Sequence, residues 1–131
     1  MDRTQAARIV FAIALSLLIG HELDAVMHQE WRLLPLLALM PDETARLVFI
    51  ALHVPLFAII IWLTGHPSPV VARMSQIVVD GFLVVHAGLH LALSDHALYR
   101  FEPPLSGLLI YGGGLAGLAH LALIIRRPAL Q

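Results

Sequence analysis

Cysteine and lysine are both missing from the 131 residues. Without cysteine there are no disulfides, no thiolate zinc sites, no Cys-x-x-Cys redox chemistry and no palmitoylation. Without lysine there is no Schiff base for retinal or pyridoxal. Eight arginines stand against nine acids, for a formal net charge of -1, so the chain has no basic footprint and no nucleic-acid partner is expected. Charge of either sign is scarce. Only 13% of the residues are charged and 59% are hydrophobic, with a mean hydropathy of +0.83. Soluble domains average about a quarter charged residues, so this composition excludes one and leaves a small membrane protein.

Apolar runs of about 20 residues mark the spans. Leu47 to Leu63 and Leu105 to Ile125 are plain, each with one ionisable residue, His53 and His120. The run from Ile9 stops at Gly20, about 18 Å of helix, too short for about 30 Å of hydrocarbon. It must continue through His21, Glu22 and Asp24. The residues after Gly20 form no small-x-small cleavage site, so this segment reads as a span and not as a removed signal peptide. Met74 to Leu93 carries Asp80, His86 and His90. The fold class that results is an all-α membrane protein, a four-helix transmembrane bundle in one integral membrane domain over 1-131, with spans at about 7-28, 45-64, 72-93 and 105-125. Asp42 reads as the N-cap of the second helix, and Gly65-His66-Pro67-Ser68-Pro69 as the breaker after it.

Arginine placement sets the orientation. Arg3, Arg8, Arg73, Arg126 and Arg127 fall on one side, Arg32, Arg46 and Arg100 on the other. Both termini are therefore expected to be cytoplasmic, in a multi-pass protein of the cell (inner) membrane.

Ionisable side chains in hydrocarbon are costly, and they normally face the bundle interior, pair, and mark a site or pathway. Counted from the cytoplasmic boundary by helical rise, His21 lies at about 18 Å, His53 at about 15 Å and His86 at about 18 Å. Asp24 and His90 come just above, at about 22 and 24 Å, and Asp80 and His120 share a lower level near 8 to 9 Å. His86 and His90, four apart, lie one above the other on one helix face. This spacing can chelate a metal from a single helix, although the glutamate of the helical His-Glu-x-x-His motif is missing. Neutral imidazoles with carboxylates suit zinc, iron, manganese or copper, and helix bundles can converge them from several helices. The candidate metal ligands are His21, Asp24, His53, His86 and His90. Glu22 and Asp24 are the candidate catalytic groups, as base towards a metal-bound water or as partners that orient a ligand histidine. The expected cofactor is a divalent ion, zinc or iron favoured, and the expected substrate a lipid-like small molecule in the bilayer. For Asp80 and His120 the expectation is a structural hydrogen-bonded pair.

Three further features are read from the sequence. Pro55, two residues after His53, removes one helical hydrogen bond beside the histidine layer. Gly113 and Gly117, with Gly81, Ala87 and Gly88, make the third and fourth helices slim, which serves close packing within the chain or a homodimer through these small-residue faces. Trp31, in Glu30-Trp31-Arg32, reads as an interfacial belt residue, and residues 33–40 as an interfacial anchor or a lid over the layer.

At His21-Glu22-Leu23-Asp24-Ala25, followed by Glu30-Trp31-Arg32, the chain resembles families of small uncharacterised bacterial multi-helix membrane proteins, including those named for a His-x-x-Glu-Glu motif. Asp24 stands where that motif has its first glutamate and Ala25 where it has its second. The resemblance implies a membrane fold of four or five helices and no particular activity. Two other functions stay open beside a metal centre. One is a b-type haem electron carrier with two of His21, His53 and His86 as axial ligands. The other is a transporter or assembly subunit whose polar layer is a hydrogen-bonded network.

Overall fold

A computed structural model describes residues 2–125. Its four α-helices are α1 (Arg3–Met27), α2 (Asp42–Thr64), α3 (Pro69–Ala92) and α4 (Pro104–Ile125), with two short 3₁₀ turns at Glu30–Arg32 and Leu37–Leu39. Each of the four is long and apolar enough to cross a membrane. Their outward faces are apolar too, with Leu23, Met27, Val54, Val70 and Leu115 among the exposed side chains. Arg126 and Arg127, which contribute to the arginine asymmetry, lie outside the described residues.

The helix starts follow from local chemistry. Asp2 caps α1, its Oδ1 accepting from the Gln5 amide at 2.7 Å. Pro69 and Pro104 open α3 and α4, where a missing N–H costs nothing. Asp42 differs from its expected part. It is the first residue of α2, with Pro41 as the N-cap and no side-chain capping bond. Its carboxylate is drawn away by stronger donors, accepting from Arg32 Nε at 2.7 Å, Arg32 Nη2 at 2.8 Å and Trp31 Nε1 at 2.9 Å. Trp31 is likewise no interfacial belt residue. It is 2% exposed and packs on Phe49, while its indole N–H reaches the exposed Asp42 carboxylate at the start of α2. Helix α2 runs unbroken through Pro55.

Helix α4 stands between α1 and α3 and packs most extensively on both, while α2 flanks α3 and the two 3₁₀ turns. Its approach to α3 is through glycine. A Cβ at Gly114 would sit 2.9 Å from Ala87 Cβ, and one at Gly117 would sit 3.1 Å from the backbone oxygen of Asp80. The small-residue face of α4 is thus applied to α3 of the same chain. At the far end Arg3 Nε donates to the Leu123 carbonyl at 3.1 Å and Arg73 Nη2 to the Ile124 carbonyl at 3.1 Å. Two carbonyls near the end of α4 are thus met by arginines from α1 and α3. These bonds also place the start of α1 beside the end of α4.

Two apolar clusters fill the interior. One gathers Phe11, Ala14, Leu18, Val79 and Leu83. The other joins Ala25, Trp31, Phe49, Phe101 and Ile110. The polar layer lies within this frame.

Replacing Gly117 with valine should force α3 and α4 apart, because the new Cβ meets backbone and not a movable side chain. Overpacking of this kind costs about 1–3 kcal/mol. The expected result is a lower melting temperature in detergent for Gly117→Val than for Gly107→Val, whose Cβ would find its nearest neighbour at 3.9 Å.

Candidate metal centre

Helical spacing brings the first two members together. On α3, His86 and His90 are one turn apart and both rings lean to the same side, leaving His86 Nε2 and His90 Nε2 3.1 Å apart. From α1, His21 enters opposite them, its Nε2 2.8 Å from His86 Nε2. A carboxylate completes the group. Gln29, with φ of 60°, is the one non-glycine residue among those described in the left-handed region, and it turns the chain back after α1. The 3₁₀ turn beginning at the next residue delivers Glu30 inward, with Oε2 3.2 Å from His21 Nε2 and Oε1 3.9 Å from His90 Nε2. Four ligand atoms, from His21, Glu30, His86 and His90, all lie within 4.8 Å of one another. Three of the four residues are buried and His86 is half-buried.

Hydrogen bonding alone accounts poorly for this arrangement. An imidazole nitrogen has one hydrogen or one lone pair. His86 Nε2 faces two other Nε2 atoms at once and can be properly matched to only one. Glu30 Oε2 is buried without a hydrogen bond among the described residues, since its approach to His21 is short but poorly aligned, and His21 Nδ1 is also unbonded. Convergence of lone pairs on one point is what a metal requires. Ligand bonds of 2.0–2.1 Å at tetrahedral angles would hold neighbouring nitrogens about 3.3 Å apart. The two nitrogen pairs that include His86 Nε2, at 2.8 and 3.1 Å, are somewhat closer than that, and the whole set of four ligand atoms spans no more than 4.8 Å.

The surroundings prepare the ligands. His90 Nδ1 lies 3.2 Å from the Tyr99 hydroxyl. Burial first, and then the neighbouring Tyr111 and Glu30, push the Tyr99 hydroxyl up to about 12, so it keeps its proton. A neutral hydroxyl oxygen can accept from His90 Nδ1–H, which leaves the Nε2 lone pair facing the group. Burial pushes the Glu30 carboxyl up, but His21 against it, with His86 and His90 nearby, more than reverses this and holds it below the usual carboxylate value. Phe101, from the α3–α4 connection, covers the rings of His21 and His90 with centroids at 5.6 and 4.7 Å.

The other candidates stand apart. His53, though placed by helical rise at the level of His21, pairs with Glu22 through Nε2 at 2.7 Å. Its Nδ1 lies 2.6 Å from the Phe49 carbonyl, which only accepts, so Nδ1 carries hydrogen and Nε2 is the atom turned to Glu22. Asp24 is beside His28, 3.2 Å from its Nδ1, and the second Asp24 oxygen is buried without a hydrogen bond among the described residues. Asp80 and His120 form their own buried pair at 2.6 Å. Glu30, Tyr99 and Phe101 are absent from the sequence-based candidates. They sit in loops, where no periodicity reports which way a side chain faces, and the only signal for Glu30 was its place next to a tryptophan.

A double-mutant cycle on Glu22→Gln and His53→Phe, read by unfolding in mild detergent, should return a coupling of about 1 kcal/mol, within the range found for polar contacts between membrane helices. Additive effects would show that the contact contributes nothing.

A family model described as a family of unknown function (DUF6713) matches residues 7–127. No curated protein and no solved structure matches the chain. The match covers nearly all of the described chain and carries no assigned function.

Proposed function

The chain belongs to the DUF6713 family, and from the geometry of its site we propose that it is a multi-pass membrane metalloprotein holding one divalent ion between His21, Glu30, His86 and His90. The observation that carries this reading is the meeting of three Nε2 atoms and a carboxylate from three separate segments, with His86 Nε2 facing two other ring nitrogens. Three imidazoles and one carboxylate suit zinc or iron(II). The ion would supply Lewis acidity or an activated water. Glu22 and His53, on the wall of the adjoining cavity, are the acid–base pair of such a site, and Asp24 supports it from outside the ligand set.

Haem fits these residues less well. Two axial histidines on opposite sides of a porphyrin stand about 4 Å apart, nitrogen to nitrogen, with the ring between them. Here His21 Nε2 and His86 Nε2 are 2.8 Å apart, and His86 and His90 leave one helix on the same side.

Both chain termini are assigned to the cytoplasmic side of the cell membrane, in keeping with Arg3, Arg8 and Arg73 at that end and with the adjacency of α1's start and α4's end. Reporter fusions check it. A fusion after residue 131 should be active only as a cytoplasmic reporter, and one in the α3–α4 connection only as an exported one.

Elemental analysis of the detergent-purified protein should find close to one zinc or iron per chain. His86→Ala and His90→Ala should each lower metal content or affinity at least tenfold. Tyr99→Phe should weaken binding by about tenfold, the lower end of the range for losing a group that orients a ligand. Less than a tenth of an equivalent in the native protein, even after reconstitution, together with a lowered melting temperature for His86→Ala, would instead identify the cluster as a structural network.

A further inference from the structure

Helix α2 stands off from the bundle. Of its side chains only Ala45, Phe49 and Thr64 are buried. It is tied near its two ends, by Trp31 and Arg32 on Asp42 and by Gln76 Nε2 on the Thr64 carbonyl at 3.1 Å, and once midway by His53 on Glu22. Between these ties, α1, α2 and α3 enclose a cavity of about 580 Å³, within the range of about 300–1,000 Å³ common for small-molecule sites. Its walls are apolar, with Leu18 from α1, Leu56 and Phe57 from α2, and Val78 and Phe82 from α3. Leu56 and Val78 are also 47% and 66% exposed on the outer surface. The mouth therefore lies between α2 and α3, on a side of the bundle that would face hydrocarbon.

Four polar residues line this cavity, Glu22, His53, Glu30 and His86. From His53 down to Ile60 on α2, and from His86 down to Val78 on α3, about 10 to 12 Å of apolar wall extends away from them. Such a shape takes an alkyl chain with one polar end. The polar groups say which kind of end. Glu22 is paired with His53 through Oε2, at 2.7 Å, and its other oxygen can accept a hydrogen bond. The ion proposed for the cluster would keep net positive charge, with one carboxylate and three neutral imidazoles around it. An ionised acid has no hydrogen for Glu22 and an ammonium no lone pair for the ion, whereas a hydroxyl offers both.

We propose that this cavity binds an uncharged single-chain lipid ending in a hydroxyl group, which slides in sideways between α2 and α3 and sets its oxygen between Glu22 and the face of the cluster that His86 presents. The location of the oxygen next to an ion rests on the metal reading, whereas the seat of the chain does not.

Photolabelling of the full chain in detergent tests this. The probe is a 16-carbon alcohol carrying a diazirine, with the matching alkane, acid and amine as comparators. The alcohol should label the inward-facing peptides around Leu56 and Val78, be displaced by unlabelled hexadecanol, and label at least tenfold more strongly than the alkane. Leu56→Trp and Val78→Trp, at half-exposed positions that tolerate bulk, should each cut labelling at least fivefold while melting like the native protein. Labelling spread over the outward faces, or unaffected by competitor in the native protein, overturns the site. Stronger labelling by the acid or amine overturns the hydroxyl assignment. Cavity labelling in protein found to carry no metal supports the chain site and overturns the metal reading alone.

Discussion

Because α4 stands between α1 and α3, its girth sets how near His21 on one can come to His86 and His90 on the other. Glycine at 113, 114 and 117 makes α4 little more than bare backbone where it meets α3. In a membrane there is little hydrophobic force between helices, and close backbone approach with its dispersion contacts takes over that part. The approach has a second effect. It seats α3 at a depth and rotation from which two of its histidines reach past α4 to α1, so the packing of helices and the assembly of the cluster are one geometric event.

The polar content of so apolar a molecule needs a physical reason. His21, Asp24, Glu30, Asp80, His90 and His120 are all buried, and each would cost free energy there if left unmatched. Asp80 and His120 match each other, as do Glu22 and His53 in the same bundle. The group of His21, Glu30, His86 and His90 is different, since four ligand atoms converge there while Glu30 Oε2 and His21 Nδ1 have no hydrogen bond among the described residues. The divalent cation of the proposed function would turn these poor hydrogen-bond partners into ligands. The same bundle thus contains paired polar contacts, single buried atoms without a partner among the described residues at Asp24, Asp80 and Ser106, and one group of convergent ligand atoms.

Much of this was legible in the sequence, because helical rise and the 3.6-residue period are fixed. The four helices, the common level of His21 and His86, and the pairing of Asp80 with His120 all follow from those two numbers. Level alone does not give rotation, and so His53, at nearly the right height, meets Glu22 on α1 and not the three converging imidazoles. Loops were harder. The left-handed turn at Gln29 decides that Glu30 and Trp31 point inward, and glutamine gives no hint of it as glycine or asparagine would. Trp31 between two charges has the composition of an interfacial residue, but its ring is buried and its N–H finds an acceptor in the exposed carboxylate of Asp42, eleven positions away, and composition does not report such a partner. Tyr99 and Phe101 are placed by the path of the α3–α4 connection, which depends on how those helices pack.

The arginine ties at the end of α4 bear on how the molecule is made. A ribosome releases α1, α2 and α3 before α4 exists, and the first three helices by themselves have neither the glycine face that seats α3 nor the terminal carbonyls that Arg3 and Arg73 hold. A nascent chain halted after its third span therefore lacks the helix against which α1 and α3 both pack, and the meeting of His21 with His86 and His90 waits on the fourth.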